Sequence, residues 1–228
     1  MIDLPKYEIF PLGESALTIN FGDQIDPQIN AIVTSLSEKI ESNPFAGFLE
    51  AVPAYSSLTI FFDVIKIKRK FRNALSGFEI AKRRVEIAAE TLKVKEAKKT
   101  GSIEIPVSFS PADSPDLGFV ADKAKVSGDE VIEIFLSRYY RVYMLGFLPG
   151  FAYMGEIDQR IAVPRKTSPQ LSVPKGSVGI AGLQTGVYPL DSPGGWQIIG
   201  RTDVELFTPA KNSLTLLSSG DTVKFIRK

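Results

Sequence analysis

The 228-residue sequence contains no cysteine and no histidine. Without cysteine there is no disulfide, no thiolate nucleophile, no iron–sulfur ligation and no Cys-based zinc site. Without histidine there is no Ser-His-Asp or Cys-His machinery, and no imidazole acid, base or metal ligand. Chemistry is left to carboxylates, Lys, Arg, Tyr, hydroxyls and backbone N–H groups, with Mg²⁺ on oxygen ligands still open. A binding protein with no need of imidazole fits the same two absences. An excess of one charge is missing too, since 27 Lys+Arg face 26 Asp+Glu. The first hundred residues carry 14 basic and 13 acidic side chains, the rest 13 and 13. Neither part has the positive surplus that phosphate-backbone binding needs, so nucleic acid is not an expected partner. Long apolar runs are also lacking. Stretches such as Leu58–Phe62 are strand-sized and far short of a membrane span. Asp3, Lys6 and Glu8 stand where a signal peptide has its apolar run, so a cytoplasmic protein without membrane contact is expected.

What is present suffices for a core: 44% of residues are hydrophobic and 10% aromatic. In the first hundred residues strand and helix patterns alternate. Leu17, Ile19 and Phe21 have the period of two of a strand. Asp26-Pro27 reads as an N-cap with proline at the first helical position, before Ile29, Ile32, Val33, Leu36 and Ile40 at helical spacing. Phe48–Ala54 and Ser57–Asp63 read as strands, Val64–Leu75 and Glu79–Lys99 as helices. The last carries seven basic and four acidic residues, the pattern of a solvated face. This order predicts a small α/β unit, ferredoxin-like in type.

The polar run Lys93–Ser102 predicts a boundary, giving domains 1–100 and 101–228. Beyond it Ile103, Ile105, Val107 and Phe109 alternate as a strand, and Ser127-Gly128-Asp129-Glu130 reads as a capping box opening a helix. Composition then shifts. Between Leu145 and Gly200 lie ten Gly and six Pro, which excludes long helices and favours short strands in a barrel or sandwich. Val204–Phe207 and Thr222–Ile226 continue the strand pattern.

Four segments of this region are candidates for function. In Gly146-Phe147-Leu148-Pro149-Gly150-Phe151-Ala152-Tyr153, glycines at a sharp turn flanked by aromatics suit either an apolar pocket lined by backbone N–H groups or a tight barrel corner whose aromatics are core. Arg165 and Lys166 can clamp a carboxylate or phosphate, or sit on a solvated turn. Gly176, Gly179 and Gly182 match no phosphate-binding loop, and a close backbone crossing explains them equally well. Gln184, Thr185 and Tyr188 lead into Ser192 and Gly194-Gly195-Trp196. Ser192 has no histidine to activate it, and Trp196 suits a core or an interface as well as a ligand. Arg201 is a second candidate anion clamp, with a surface ion pair as its plain alternative. No metal-ligand spacing and no acid/base pair of carboxylates is evident, so the residues alone assign no catalytic group.

The stretch Gly146–Gly155 (GFLPGFAYMG), Ala162–Arg165, Val173–Val178, Gln184–Pro189 and Ser192–Arg201 together resemble the KipI-type proteins, the carboxyltransferase or allophanate-hydrolase subunit 1-like family. Weaker similarity runs through Phe21-Gly22-Asp23, Val52–Leu58 and Ile105-Pro106-Val107, so the resemblance covers nearly the whole chain. It implies an α+β chain with an N-terminal α/β domain and a C-terminal cyclophilin-like β-barrel. It also implies a non-autonomous subunit of an ATP-dependent 5-oxoprolinase, inactive alone. Such a subunit joins a carboxyltransferase-domain subunit and a third subunit to open 5-oxo-L-proline to glutamate, using ATP with Mg at the level of the complex. By the same resemblance Arg165 and Arg201 bind carboxylate or phosphate. Gln184, Thr185, Tyr188 and Ser192 supply polar contacts, while Gly146, Phe147, Pro149, Gly150, Phe151, Gly194, Gly195 and Trp196 shape a pocket or interface. Two other readings belong to the family: a regulator that inhibits a sensor histidine kinase, and a carboxyltransferase or allophanate-hydrolase subunit of urea metabolism. Prolyl isomerase activity is suggested by the barrel alone, and fold does not confer activity. The chain departs from its relatives where Phe135 replaces a usual histidine and Ser110-Pro111-Ala112 replaces a Gly-Gly pair.

Overall fold

A computed structural model describes residues 4–71, 75–94, 102–210 and 214–228. The chain divides into two compact units, Met1–Lys99 and Thr100–Lys228. The helix expected to reach Lys99 ends at Glu90, and the one expected over Val64–Leu75 ends at Lys70, each closed by a C-cap, at Thr91 and Phe71 respectively. Most of the polar run at Lys93–Ser102 lies outside the described residues.

The first unit contains strands β1 (Glu8–Pro11), β2 (Ala16–Asn20), β3 (Phe48–Pro53) and β4 (Ser57–Phe62). Its helices are α1 (Pro27–Ser42), α2 (Val64–Lys70) and α3 (Gly77–Glu90). Helix α1 starts where expected because Asp26 accepts from the N–H groups of Gln28 and Ile29, and Pro27 presets the first turn. Helix α3 starts two residues before the expected Glu79, because Ser76 and Glu79 form a reciprocal capping box. The sheet is antiparallel in the order β1-β2-β4-β3. That is the ferredoxin-like order with one change, since the edge strand beside β2 comes from before the helices rather than after them. Leu17, Ile19, Leu58, Ile60 and Phe62 face Val33, Leu36, Val85 and Ala89 in a single core.

The second unit begins with β5 (Ile103–Val107), α4 (Leu117–Ala124) and α5 (Gly128–Ser137). Strands β6 (Tyr140–Leu145), β7 (Ala152–Gly155), β8 (Gln170–Val173), β9 (Ser177–Ala181) and β10 (Gln184–Val187) follow. The last three are β11 (Ser192–Gly194), β12 (Gln197–Arg201) and β13 (Thr222–Arg227). Seven strands form one sheet in the order β12-β9-β10-β7-β6-β13-β5. The edges meet where Ser108 and Arg201 exchange backbone hydrogen bonds of 2.7 and 2.9 Å, so the sheet curls into a nearly closed barrel. Val107, Val178, Ile180, Ile199 and Phe225 fill it, and Phe135 of α5 stacks on Phe225 at 5.0 Å. Phe135, where the resemblance led to the expectation of a histidine, is therefore a packing position. Strands β8 and β11 form a separate two-stranded ribbon. Val204–Phe207, expected as a strand, is irregular: Phe207 makes one bridge to Thr215 while Leu206 plugs the core. Ser127 caps α5 by accepting from the Glu130 N–H. Among the described residues no helix is long and apolar enough to cross a membrane.

Candidate functional site

The Gly146–Phe151 segment is the turn between β6 and β7. It is held by hydrogen bonds from the Gly146 N–H to the Phe151 carbonyl (3.1 Å) and from the Phe151 N–H to the Leu148 carbonyl (3.0 Å). Gly150 has φ +82°, and a Cβ there would lie 2.9 Å from Phe207 Cβ, so this turn admits only glycine at that point. Phe147 also adopts a left-handed backbone, φ +69°, which costs a bulky residue about 1–3 kcal/mol. That strained position throws its ring outward, where it remains 59% exposed.

Behind Phe147 lies an aromatic layer outside the barrel core. Phe151 is its centre, with Tyr153, Tyr188, Phe147 and Trp196 at centroid distances of 4.8, 5.3, 5.5 and 5.5 Å, all edge-to-face. Tyr188 is buried, and its hydroxyl accepts from the Trp196 backbone N–H. Gly194 leaves room for that hydroxyl, because a Cβ there would stand 2.5 Å from it. A cavity of about 230 Å³ opens over this layer, lined by Phe147, Phe151, Tyr153, Arg165, Pro169, Tyr188, Pro193, Gly194, Gly195 and Trp196.

Arg165 reaches the cavity from a loop pinned on both sides. The Lys166 N–H donates to the Gly195 carbonyl (2.7 Å) and Gln197 Nε2 to the Pro164 carbonyl (3.1 Å). The Lys166 ammonium pairs at 2.7 Å with Asp116, both side chains being 16% exposed. Asp116 sits at the start of α4 but does not cap it. Its carboxylate instead accepts from the Ile198 N–H at 2.7 Å, tying the Lys166 loop to β12. Arg165 itself has no ion pair or hydrogen bond among the described residues. Its charge faces the phenols of Tyr153 and Tyr188 and partly offsets the upward shift that burial imposes on both. The cavity thus offers an apolar aromatic floor and, exposed at its rim, one guanidinium with no hydrogen bond or ion pair among the described residues.

The other candidates are placed elsewhere. Arg201 closes the barrel through its backbone, donates from Nε to the Lys175 carbonyl (3.2 Å), and lines a second cavity of about 700 Å³. There Asp113 accepts from the hydroxyls of Ser108 (2.6 Å) and Ser110 (2.7 Å), which hold its carboxyl below the usual range. Thr185 is fully buried and donates to the Gly179 carbonyl (2.9 Å), and Ser192 is buried with its hydroxyl on the Pro193 carbonyl (3.2 Å). Gln184 starts β10, half-buried, while Gly146, Pro149 and Gly150 build the turn without lining the smaller cavity. Among the described residues no three acidic side chains gather as metal ligands. Tyr153, Pro169 and Pro193, each within a segment singled out from the sequence but not named as a site residue, join the cavity wall. Sequence reasoning missed Asp116 as the anchor of the Arg165 loop. Asp116 lies 50 residues from Lys166, with no local signal linking them.

Comparison with known proteins follows the same stretch of chain. The pattern of the carboxyltransferase domain, subdomain C and D, matches residues 7–217. The chain is 47% identical over 223 residues to the B-type subunit of 5-oxoprolinase from Bacillus subtilis, covering 97% of this chain and 93% of that one. It is 36% identical over 223 residues to the corresponding 5-oxoprolinase subunit of Escherichia coli O157:H7, covering 98% and 97%. The crystal structure of TTHA0988 superposes with a TM-score of 0.78 at 32% identity, over 94% of this chain and 40% of that longer one.

Proposed function

The chain belongs to the carboxyltransferase subdomain C and D family, the KipI-like proteins, and from that membership we propose that it works as the B-type subunit of an ATP-dependent 5-oxoprolinase. The observation that carries this reading is the identity of 47% and 36% to two such subunits over nearly their full lengths. The reaction opens 5-oxo-L-proline to glutamate. A lactam carbonyl is a poor electrophile, and phosphoryl transfer from ATP to its oxygen makes the ring carbon reactive towards water. One water adds to that carbon, the C–N bond breaks with nitrogen leaving as the amine, and a second water cleaves the acyl phosphate to glutamate and phosphate, with ADP left by the transfer. Such a site must bind a carboxylate, hold Mg²⁺-triphosphate and stabilise developing negative charge.

This chain supplies part of that list. It has a guanidinium at a shaped pocket with no ion pair among the described residues, but neither imidazole nor thiol, and Ser192 is buried with its hydroxyl on the Pro193 carbonyl. No glycine-rich phosphate loop occurs in the sequence. These features support a subunit that is inactive alone, with the triphosphate held on the carboxyltransferase-domain subunit or a third subunit. Phe147 and Leu171, exposed by 59% and 92%, stand at and two residues beyond the cavity wall, and suit cover by a partner. The test is reconstitution. This chain, the carboxyltransferase-domain subunit and the third subunit are purified separately and assayed for ATP-dependent glutamate release. Activity in the full mixture and none on omission of this chain is expected. A complete mixture that releases no glutamate, or one that works equally well without this chain, overturns the reading.

A further inference from the structure

We infer that the aromatic cavity is the 5-oxoproline site of the assembly, with Arg165 binding the substrate carboxylate and the lactam ring lying against Trp196 and Tyr153. This rests on the subunit reading above and adds to it which chain holds the substrate, and how. Four features of the cavity support it. Its volume of about 230 Å³ falls below the range of drug-sized pockets and suits a small ring acid. Its walls are ring faces and edges, matched to a compact apolar heterocycle. Its one cation has no partner among the described residues, while neighbouring Lys166 is paired with Asp116, so the positive charge in the cavity lining is that of Arg165. The Trp196 indole N–H also has no hydrogen-bond partner among the described residues and offers a second donor.

Arg165 is exposed at the cavity rim, so a monocarboxylate can meet it in a bidentate charge-assisted pair that an uncharged occupant cannot make. Anchored by its carboxylate, the ring leaves its carbonyl to be reached by phosphate and water delivered from elsewhere in the complex. That division of labour agrees with a cavity lined by no carboxylate, imidazole or thiol.

Trp196 is the only tryptophan of the chain, so its fluorescence reports this cavity directly. The chain, alone and in the reconstituted complex, is titrated with 5-oxo-L-proline and with 2-pyrrolidinone, the same lactam lacking the carboxylate. A saturable Trp196 response to the acid is expected, weakened at least about tenfold for the lactam and in Arg165→Met. Arg165→Lys is expected to recover part of the loss, and Lys175→Met, a surface charge paired with Glu205, to bind as the parent does. In the active complex Arg165→Met raises KM for 5-oxoproline by about tenfold or more and leaves KM for ATP unchanged. An active complex in which Trp196 ignores 5-oxoproline and Arg165→Met keeps its KM overturns the proposal while the subunit reading stands. A Trp196 response to one of the other proteins of the complex, with none to 5-oxoproline, makes the cavity a protein contact and overturns it too. If the complex is inactive, the subunit reading fails, and the titration of the isolated chain still decides the cavity.

Discussion

Arg165 and Arg201 look alike in the sequence, each a lone guanidinium in a Gly/Pro-rich stretch, but the barrel uses them in opposite ways. At Arg165 the backbone is fastened by its neighbours, through Lys166 to Gly195 and Asp116, and through Pro164 to Gln197. The side chain is left unpaired above aromatic rings. At Arg201 the residue's own backbone closes the barrel against Ser108, and its side chain braces the Lys175 carbonyl. The first guanidinium makes no ion pair or hydrogen bond among the described residues and borders the aromatic cavity, while the second donates to a backbone carbonyl at the seam and lines the larger cavity. What the neighbours do, rather than the arginine itself, separates the two.

The largest effect should separate the seam from the cavity. Gly176 has φ +82°, and a Cβ there would lie 2.1 Å from the Thr202 carbonyl oxygen beside Arg201. Gly176→Ala is expected to cost at least about 3 kcal/mol, combining backbone strain and overlap. Gly195→Ala in the cavity wall meets nothing closer than 3.7 Å and should stay within about 0.5 kcal/mol. Urea denaturation of both variants checks this, and equal losses would erase the distinction.

Next in size is Asp116→Asn, which leaves Lys166 a half-buried cation without its carboxylate. A loss of about 1–3 kcal/mol is expected. KM for 5-oxoproline should rise with it, since the loop that presents Arg165 loses an anchor. Unchanged KM despite lowered stability would show that the loop is fixed without this pair.

The smallest effect concerns pH at the seam. The Ser108 and Ser110 hydroxyls hold Asp113 below the unfolded aspartate value of about 3.9. A carboxyl depressed in the folded state stabilises above that value, and the contribution is lost as pH falls through the folded value. The Tm difference between the parent and Asp113→Asn should therefore shrink between about pH 6 and about pH 3. A difference independent of pH would mean that these hydrogen bonds do not depend on the charge.

Local patterns reached far into the first unit. Asp26-Pro27 and the apolar spacing from Ile29 to Ile40 located α1, because capping and helical periodicity act within a few residues. The alternation of Leu58, Ile60 and Phe62 located β4 for the same reason. Strand β1 and helix α4 were not foreseen. The first is fixed by pairing with β2, and the second begins at Asp116 with no side-chain cap. Val204–Phe207 failed in the other direction: it alternates like a strand, but Leu206 is buried as a plug and the segment's pairing is confined to one isolated bridge between Phe207 and Thr215.

The sequence by itself determined that this chain has no imidazole or thiol chemistry, that its second half is built of short strands and turns, and that its motifs are those of one family. Those properties are local, depending on composition and on neighbours a few residues apart. Which arginine stands free, which hydroxyls are buried and where the aromatics form a cavity were decided only by the tertiary structure. Each depends on pairs such as Asp116 with Lys166, Gly194 with Tyr188 and Ser108 with Arg201. A guanidinium or a ring becomes a site only when distant backbone holds it in place and occupies its competitors.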